Sequence, residues 1–457
     1  MERKYNARPW TPTALAFFFL ILLPDLGYGE VGTSQSHRAD PVVPGQFIVV
    51  LNGGFDPARV AADHAAFPLH VYRVASRGFA ARLSEPQVNA LRSDPRVNNV
   101  VEDRKVTTAA KPGTGGGGTT EIVPTGIKRI DAEEAAGSDA IVAIIDTGID
   151  LDHPDLNVST TCGFTAYSGT PDDGNGHGTH VAGIVGAKAV NGIGVRGVAP
   201  GAELCPVKVL DNSGSGAFSS IIAGIDYVTE KRTQFNDTNG NEGINIKVAN
   251  MSLGGCATVV FIWCVAEAPP QNDNCGVAAD GTIEDPLHDA ICNSTAAGVV
   301  YSVAAGNDGE DALYFVPAAY PEVITVSALA DYNGQGGGGG KAPRGCNYGP
   351  DDTLANFSNH GEVVDIGAPG ACILSTYKGG GTKTLSGTSM ATPHVTGAIA
   401  LATLDLSEDS PRDAAMKALQ PQPMPANCGF IPSFIDPDGF EEPVVYVGQP
   451  NNANCGP

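Results

Sequence analysis

The 457-residue chain is short of basic residues, with 27 Lys and Arg against 50 Asp and Glu and a formal net charge of −23. That deficit argues against nucleic acid or an anionic membrane as a partner. Cysteine is missing from the first 161 residues; all ten lie between Cys162 and Cys455. An even number of cysteines in an exported chain reads as disulfides. Long apolar runs are missing as well. Arg3, Lys4 and Arg8 precede the run Ala14 to Leu23, and Gly27-Tyr28-Gly29 follows it with small residues. The run is too short to span a bilayer, so residues 1–29 read as a signal peptide. No later segment is apolar for long enough to be a membrane helix, and no internal repeat occurs. The expectation is a secreted, extracellular monomer with no membrane anchor.

Residues 44–106 read as a small domain of their own. Phe47 to Leu51, Gly78 to Leu83 and Val97 to Glu102 are strand-like. Asp56 to Ala66 is helical in pattern, and Ser84-x-x-Gln87 has the form of a capping box before a second short helix. That order suggests a split βαβ, ferredoxin-like sheet with helices on one face. Lys111 to Thr120, with Gly113 and Gly115 to Gly118, is a flexible linker. From Glu121 strands alternate with helices, the mark of an α/β fold with a parallel central sheet and helices on both faces. The expected layout is therefore 40–110, linker 111–120, main domain 121–410 and a short tail 411–457. Cys428 and Cys455 are candidates for closing a loop in that tail.

Three stretches carry chemistry. The apolar run Ile141 to Ile145 ends in Asp146-Thr147-Gly148, which places Asp146 at the carboxyl edge of the sheet. His177-Gly178-Thr179-His180-Val181-Ala182-Gly183 opens a helical stretch. Gly387-Thr388-Ser389-Met390-Ala391-Thr392-Pro393-His394 leads into another, so Ser389 sits at a helix N-terminus, where developing negative charge is favoured. A hydroxyl needs a base within reach and a group to orient that base. If the three converge, His177 takes the Ser389 proton and Asp146 fixes its tautomer. Asp-Thr-Gly also presents the aspartate of aspartic peptidases, but that mechanism needs two carboxylates, and no second Asp-Thr/Ser-Gly occurs. His177-x-x-His180 lacks the glutamate of HExxH zinc chemistry. An inactive binding scaffold is disfavoured, because all three residues are present.

Three signatures in the order Asp, His, Ser resemble those of the subtilisin-like serine peptidases, and the resemblance covers roughly residues 121 to 405. It implies an endopeptidase acting on protein or peptide substrates through an acyl-enzyme, with His180 structural. The small domain resembles the inhibitory propeptide of such enzymes. Its family counterpart ends as a product-like strand, so the chain's own propeptide is the expected intramolecular inhibitor, cut between about Val106 and Gly113. Asn307, after Ala304-Ala305-Gly306, matches the family's oxyanion donor. Gly214-Ser215-Gly216 and Ser252-Leu253-Gly254 resemble the edges that pair an extended substrate. Phe315 matches a position near the base of the pocket for the residue before the scissile bond, where its ring either shortens the pocket or turns into the core.

Asp155 and the loop Ala189 to Val195 resemble a calcium site, with Asn191, Ile193 and Val195 as further oxygen donors. The loop is one residue longer than the usual pattern. Ser252 to Asn307 exceeds the compact members, and the excess holds Cys256, Cys264, Cys275 and Cys292. A surface insertion held by two disulfides is expected there, with three pairings open. Met390, beside Ser389, is expected to make the enzyme peroxide-sensitive.

Overall fold

A computed structural model describes residues 42–108, 110–111, 115–116, 120–256, 258–260, 263–265, 275–406, 409–419 and 442–447. The expected signal peptide, most of the linker, Cys428 and Cys455 fall outside them. Among the described residues no helix is long and apolar enough to cross a membrane.

The main sheet runs Thr353–Leu354, Ile324–Ala330, Val300–Ala304, Ile246–Met251, Ile141–Asp146, Glu203–Lys208 and Phe164–Thr165, with Ile366–Pro369 also beside Ile324–Ala330. Apart from the antiparallel Thr353–Leu354, neighbouring strands are parallel. Strand geometry sends successive side chains to opposite faces, and the Ile141–Asp146 run divides accordingly. Val142 and Ile144 pack with the helices His177–Gly186 and Thr388–Leu401, while Ala143 and Ile145 pack with Phe218–Asp237 and Pro286–Ala296. An apolar run without alternation is what a strand covered on both faces requires. The expected α/β architecture is therefore observed.

The tail is partly built into this body. Helix Pro411–Leu419 places Ala415 and Leu419 in the core of the His177 face. Beyond it, Val445 N donates to Gly367 O, and Val447 N to Ile130 O.

The N-terminal domain is an antiparallel sheet in the order Pro68–Tyr72, Gly78–Arg82, Val42–Leu51, Val97–Thr108. Its helices, Pro57–Asp63 and Glu85–Arg92, cover one face around Val49, Leu51, Phe79 and Leu91. The Ser84/Gln87 capping box is formed. Strand Pro68–Tyr72 is an addition to the sequence expectation. The other sheet face, with Ile48, Val50, Tyr72 and Ala80, packs on the helices Phe218–Asp237 and Pro286–Ala296. Each such aliphatic side chain removed from water contributes about 1.5–3 kcal/mol.

Polar groups fix how this face sits. Asp226, in the middle of Phe218–Asp237, accepts the backbone N–H groups of Arg73, Val74 and Ala75 at 2.7–3.2 Å. Burial raises its pKa against those hydrogen bonds. Asp103 accepts from Ser219 N, at the start of the same helix, and from Gln46.

Candidate active site

Asp146 ends its strand fully buried, and His177 is the first residue of its helix. His177 Nδ1 lies 2.8 and 3.0 Å from the two Asp146 carboxylate oxygens. This approach depends on Gly178, where a Cβ would fall 2.1 Å from Gly148 O. Asp173, which sequence reasoning missed, braces both segments. It accepts from Thr147 Oγ1, from Asn175 and Gly176 N–H, and from the N–H and hydroxyl of Thr179. Lys208 Nζ donates to Thr147 O and Asn212 Oδ1, and burial lowers its pKa. His180 is not part of this pair. Its Nε2 meets the carbonyls of Ile373 and Lys383, and burial lowers its pKa to about 3.

Ser389 is the second residue of helix Thr388–Leu401, which packs on the His177 helix. Its Oγ donates to Ser252 O at 3.1 Å, and its carbonyl accepts from Ser252 Oγ. His177 Nε2, buried, makes no hydrogen bond. The structure thus joins Asp146 to His177 directly and ties Ser389 to the Ser252 edge. Asn307 Oδ1 accepts Thr388 N–H at 2.9 Å and its hydroxyl at 3.1 Å, which anchors the amide one residue from Ser389. Met390 is fully buried behind the serine, in the core cluster.

The N-terminal domain's last strand runs into this site. Lys105, Val106 and Thr107 pair with Ala217, Gly216 and Ser215, and Thr108 N donates to Gly214 O. On the other side, Thr107 and Thr108 pair with Gly254 and Leu253. Gly255 allows this: its Cβ would sit 3.0 Å from Lys105 O. Val106 is buried in an apolar cluster with Phe218 and Leu253. Beyond residue 109 the chain continues as Lys111, whose N–H donates to Ser386 O at 2.7 Å, three residues before Ser389.

Phe315 is buried in the same cluster as Val106, its backbone paired with Cys256. In the insertion Cys275 is bonded to Cys292. Its described part holds the N-terminal domain, since Asn98 donates to Gly281 O and accepts Ile283 N–H, and Asn99 donates to Ile283 O. Two further disulfides, Cys162–Cys205 and Cys346–Cys372, lie in the main domain.

At the candidate calcium loop, Asp155 accepts from Val195 N at 2.9 Å and from Asn191 Nδ2 at 2.6 Å. Asn191 Oδ1 accepts Ile193 N–H. Glu121, unforeseen from sequence, accepts the N–H groups of Val190, Asn191 and Gly192. Burial raises the Asp155 pKa, and the Glu121 charge adds to the rise. The carboxylates of Asp155 and Glu121, brought to this loop from separate segments, and the Asn191 amide oxygen are hard-oxygen donors of the kind calcium takes.

Comparison with known proteins matches residues 137–421 to the subtilase family and residues 46–109 to the peptidase inhibitor I9 family. A cuticle-degrading protease from Metarhizium anisopliae is 35% identical over 79% of this chain and 80% of its own length. Proteinase R from Parengyodontium album is 35% identical over 72% of this chain and 70% of its own. An alkaline protease from Alkalihalobacillus alcalophilus is 37% identical over 70% and 68%.

Proposed function

The chain belongs to the subtilase family, a subtilisin-like serine protease preceded by an I9 inhibitor domain that makes it a zymogen, and from that premise we propose that Asp146, His177 and Ser389 are its catalytic triad. The observation that carries this reading is the 2.8 Å contact between His177 Nδ1 and buried Asp146. Nδ1–H is then the donor, so Nε2 is the basic nitrogen. Ser389 Oγ, released from Ser252 O by rotation about its side-chain bond, gives its proton to Nε2 as it attacks the scissile carbonyl. Asp146 stabilises the imidazolium. The oxyanion takes hydrogen bonds from Ser389 N–H and Asn307 Nδ2, whose amide is oriented by Thr388. His177 returns the proton to the leaving amine, and water repeats the cycle on the acyl-enzyme.

Substrates are proteins or peptides held extended between Gly214-Ser215-Gly216 and Ser252-Leu253-Gly254. The chain's own strand, which takes that place in the uncut form, supports this. Only residues 109 and 110 separate the paired Thr108 from the paired Lys111, so self-cleavage falls between Thr108 and Lys111. Secretion follows from the N-terminal apolar run and agrees with the disulfides. Asp155 and Glu121 would hold a calcium ion, with further oxygen donors from Asn191, Ile193 and Val195. When bound, it neutralises the two carboxylates and stabilises the loop.

The test is Ser389→Ala. Purified without added protease, it should persist as a precursor lacking only the signal peptide, and casein hydrolysis should disappear. Wild type should yield a new N-terminus between residues 109 and 111. A Ser389→Ala chain processed at that bond would refute self-cleavage.

A further inference from the structure

The described part of the insertion includes a small hairpin turned toward the N-terminal domain. Val277 and Ile283 face each other across it, with Ala278 N donating to Thr282 O and Glu284 N to Gly276 O. In an antiparallel pair of that kind the facing residues do not bond each other, and their N–H and C=O point outward. At Ile283 both outward groups are taken by the start of strand Val97–Thr108. Ile283 N donates to Asn98 Oδ1 at 2.7 Å, and Asn98 Nδ2 donates to Gly281 O at 3.0 Å. Asn99 Nδ2 donates to Ile283 O at 3.0 Å. The Asn98 carboxamide thus stands in for a peptide unit of a neighbouring strand.

Each side of this contact is held by its own part of the chain. In the N-terminal domain, Asn98 Nδ2 also donates to Asn52 Oδ1, Asn52 Nδ2 donates to Pro95 O, and Asn99 Oδ1 accepts Val100 N–H. Opposite, Cys275–Cys292 staples the base of the hairpin to helix Pro286–Ala296. Asp285, the N-cap of that helix, accepts the Tyr320 hydroxyl at 2.7 Å. Groups ordered in advance lose little freedom on binding. The contact is also remote from the cut. Asn98 precedes Thr108 by ten residues, roughly 30 Å of extended strand.

We propose that the hairpin Val277 to Ile283 is an exosite for the inhibitor domain, recognising the adjacent carboxamides of Asn98 and Asn99. A substrate entering the cleft competes with Lys105 to Thr108, but not with this contact. While the exosite holds, the displaced strand returns as an intramolecular ligand at high effective concentration. The hairpin therefore sets how fast the cut domain leaves. It also selects the partner: an inhibitor domain of the same fold without the asparagine pair keeps only the cleft and helix contacts. The release kinetics rest on the self-cleaved zymogen described above; the recognition does not.

The experiment follows the self-processed complex after dilution, reading release of the cut domain as the return of peptide hydrolysis. Asn98→Ala removes two of the three hydrogen bonds and should speed release about 5- to 30-fold. Cys275→Ser with Cys292→Ser frees the hairpin base and should also speed release, with kcat/KM of the freed enzyme unchanged. Added to that pair, Asn98→Ala should then contribute little, because both changes act on one contact. Wild-type release in either variant, or full additivity of the two, overturns the exosite. The uncut Ser389→Ala chain gives a second readout that needs no cleavage. Its Ile283 N–H should exchange slowly with solvent, and Asn98→Ala should make that exchange fast; equal rates would again overturn the exosite. Failure of wild type to cut itself would count against the triad and leave this second readout to decide.

Discussion

The two flanks of the Ser389 site hold the same chain in different ways. Before the cut, Lys105 to Thr108 lies between two strands, bonded on both sides, with Val106 buried in an apolar cluster. After it, the described residues Lys111, Gly115 and Gly116 pair with Ser386, Lys383 and Thr382 of one strand edge. The first flank combines backbone pairing with side-chain burial, so it discriminates and binds tightly. The second pairs through backbone, worth about 0.5–1.5 kcal/mol per hydrogen bond, with the Lys111 ammonium 5.1 Å from the Phe357 ring centroid as a side-chain contact. The arrangement suits an enzyme whose cut inhibitor domain should stay while the other end leaves.

The largest expected effect separates chemistry from both flanks. Asn307→Leu should lower kcat by a factor on the order of 10²–10³, the magnitude found for subtilisin's own oxyanion asparagine. KM should change little, because neither flank includes Asn307; a loss carried by KM would make it a binding residue instead.

Calcium removal addresses the far end of the second flank, where the linker leads to Glu121 on the Val190–Gly192 loop. At 100 times its dissociation constant, an ion bound only to the folded state adds about 2.7 kcal/mol. Chelator should therefore shorten the thermal half-life of wild type, and Asp155→Ala should be insensitive to it. An equal half-life of wild type with and without chelator would remove the site.

Gly255→Val tests the first flank. The added Cβ meets Lys105 O at 3.0 Å, and the branched chain needs more room still. The cut N-terminal domain should dissociate roughly 10- to 100-fold faster, a loss of about 1.4–2.7 kcal/mol. An unchanged dissociation rate would show that this edge does not hold the strand.

The smallest effect is a pH dependence of the same interface. Burial raises the Asp289 pKa to about 6, while Asn293 and Ser76 hydrogen bonds oppose the rise. Asn293 also reaches Ala75 O of the N-terminal domain. A carboxyl with a raised pKa in the complex binds its proton more tightly there. Its contribution is present below about pH 4 and lost as pH rises through about 6. Release of the cut domain should be up to about tenfold faster at pH 7.5 than at pH 4.5, and Asp289→Asn should flatten that difference.

Local sequence was enough to single out Asp146, His177 and Ser389 as candidates, because Asp146 ends an apolar strand run, His177 and Ser389 open helical ones, and small residues flank all three. It was enough too for the α/β architecture, since apolar strands without alternation must be covered on both faces. Strand Pro68–Tyr72 was missed because it opens on proline, carries His70 and shows no clean alternation. Glu121, Asp173 and Asp226 were missed for a different reason. Each is an acid with no motif around it: the partners of Glu121 and Asp226 lie 69 to 153 residues away, and Asp173, which also caps its own loop, joins the two segments through Thr147, 26 residues back. Phe315 matched a motif position, and its side chain is buried in the cluster that also takes Val106 of the N-terminal domain's last strand. What the sequence determined by itself was the set of groups able to do chemistry and the periodicity that builds the sheet. Which carboxylates cap which loops, and that one strand passes between two edges onto a third, were decided only by tertiary structure. Backbone N–H and C=O groups are the same in every residue, so their partners are chosen by where the fold brings them.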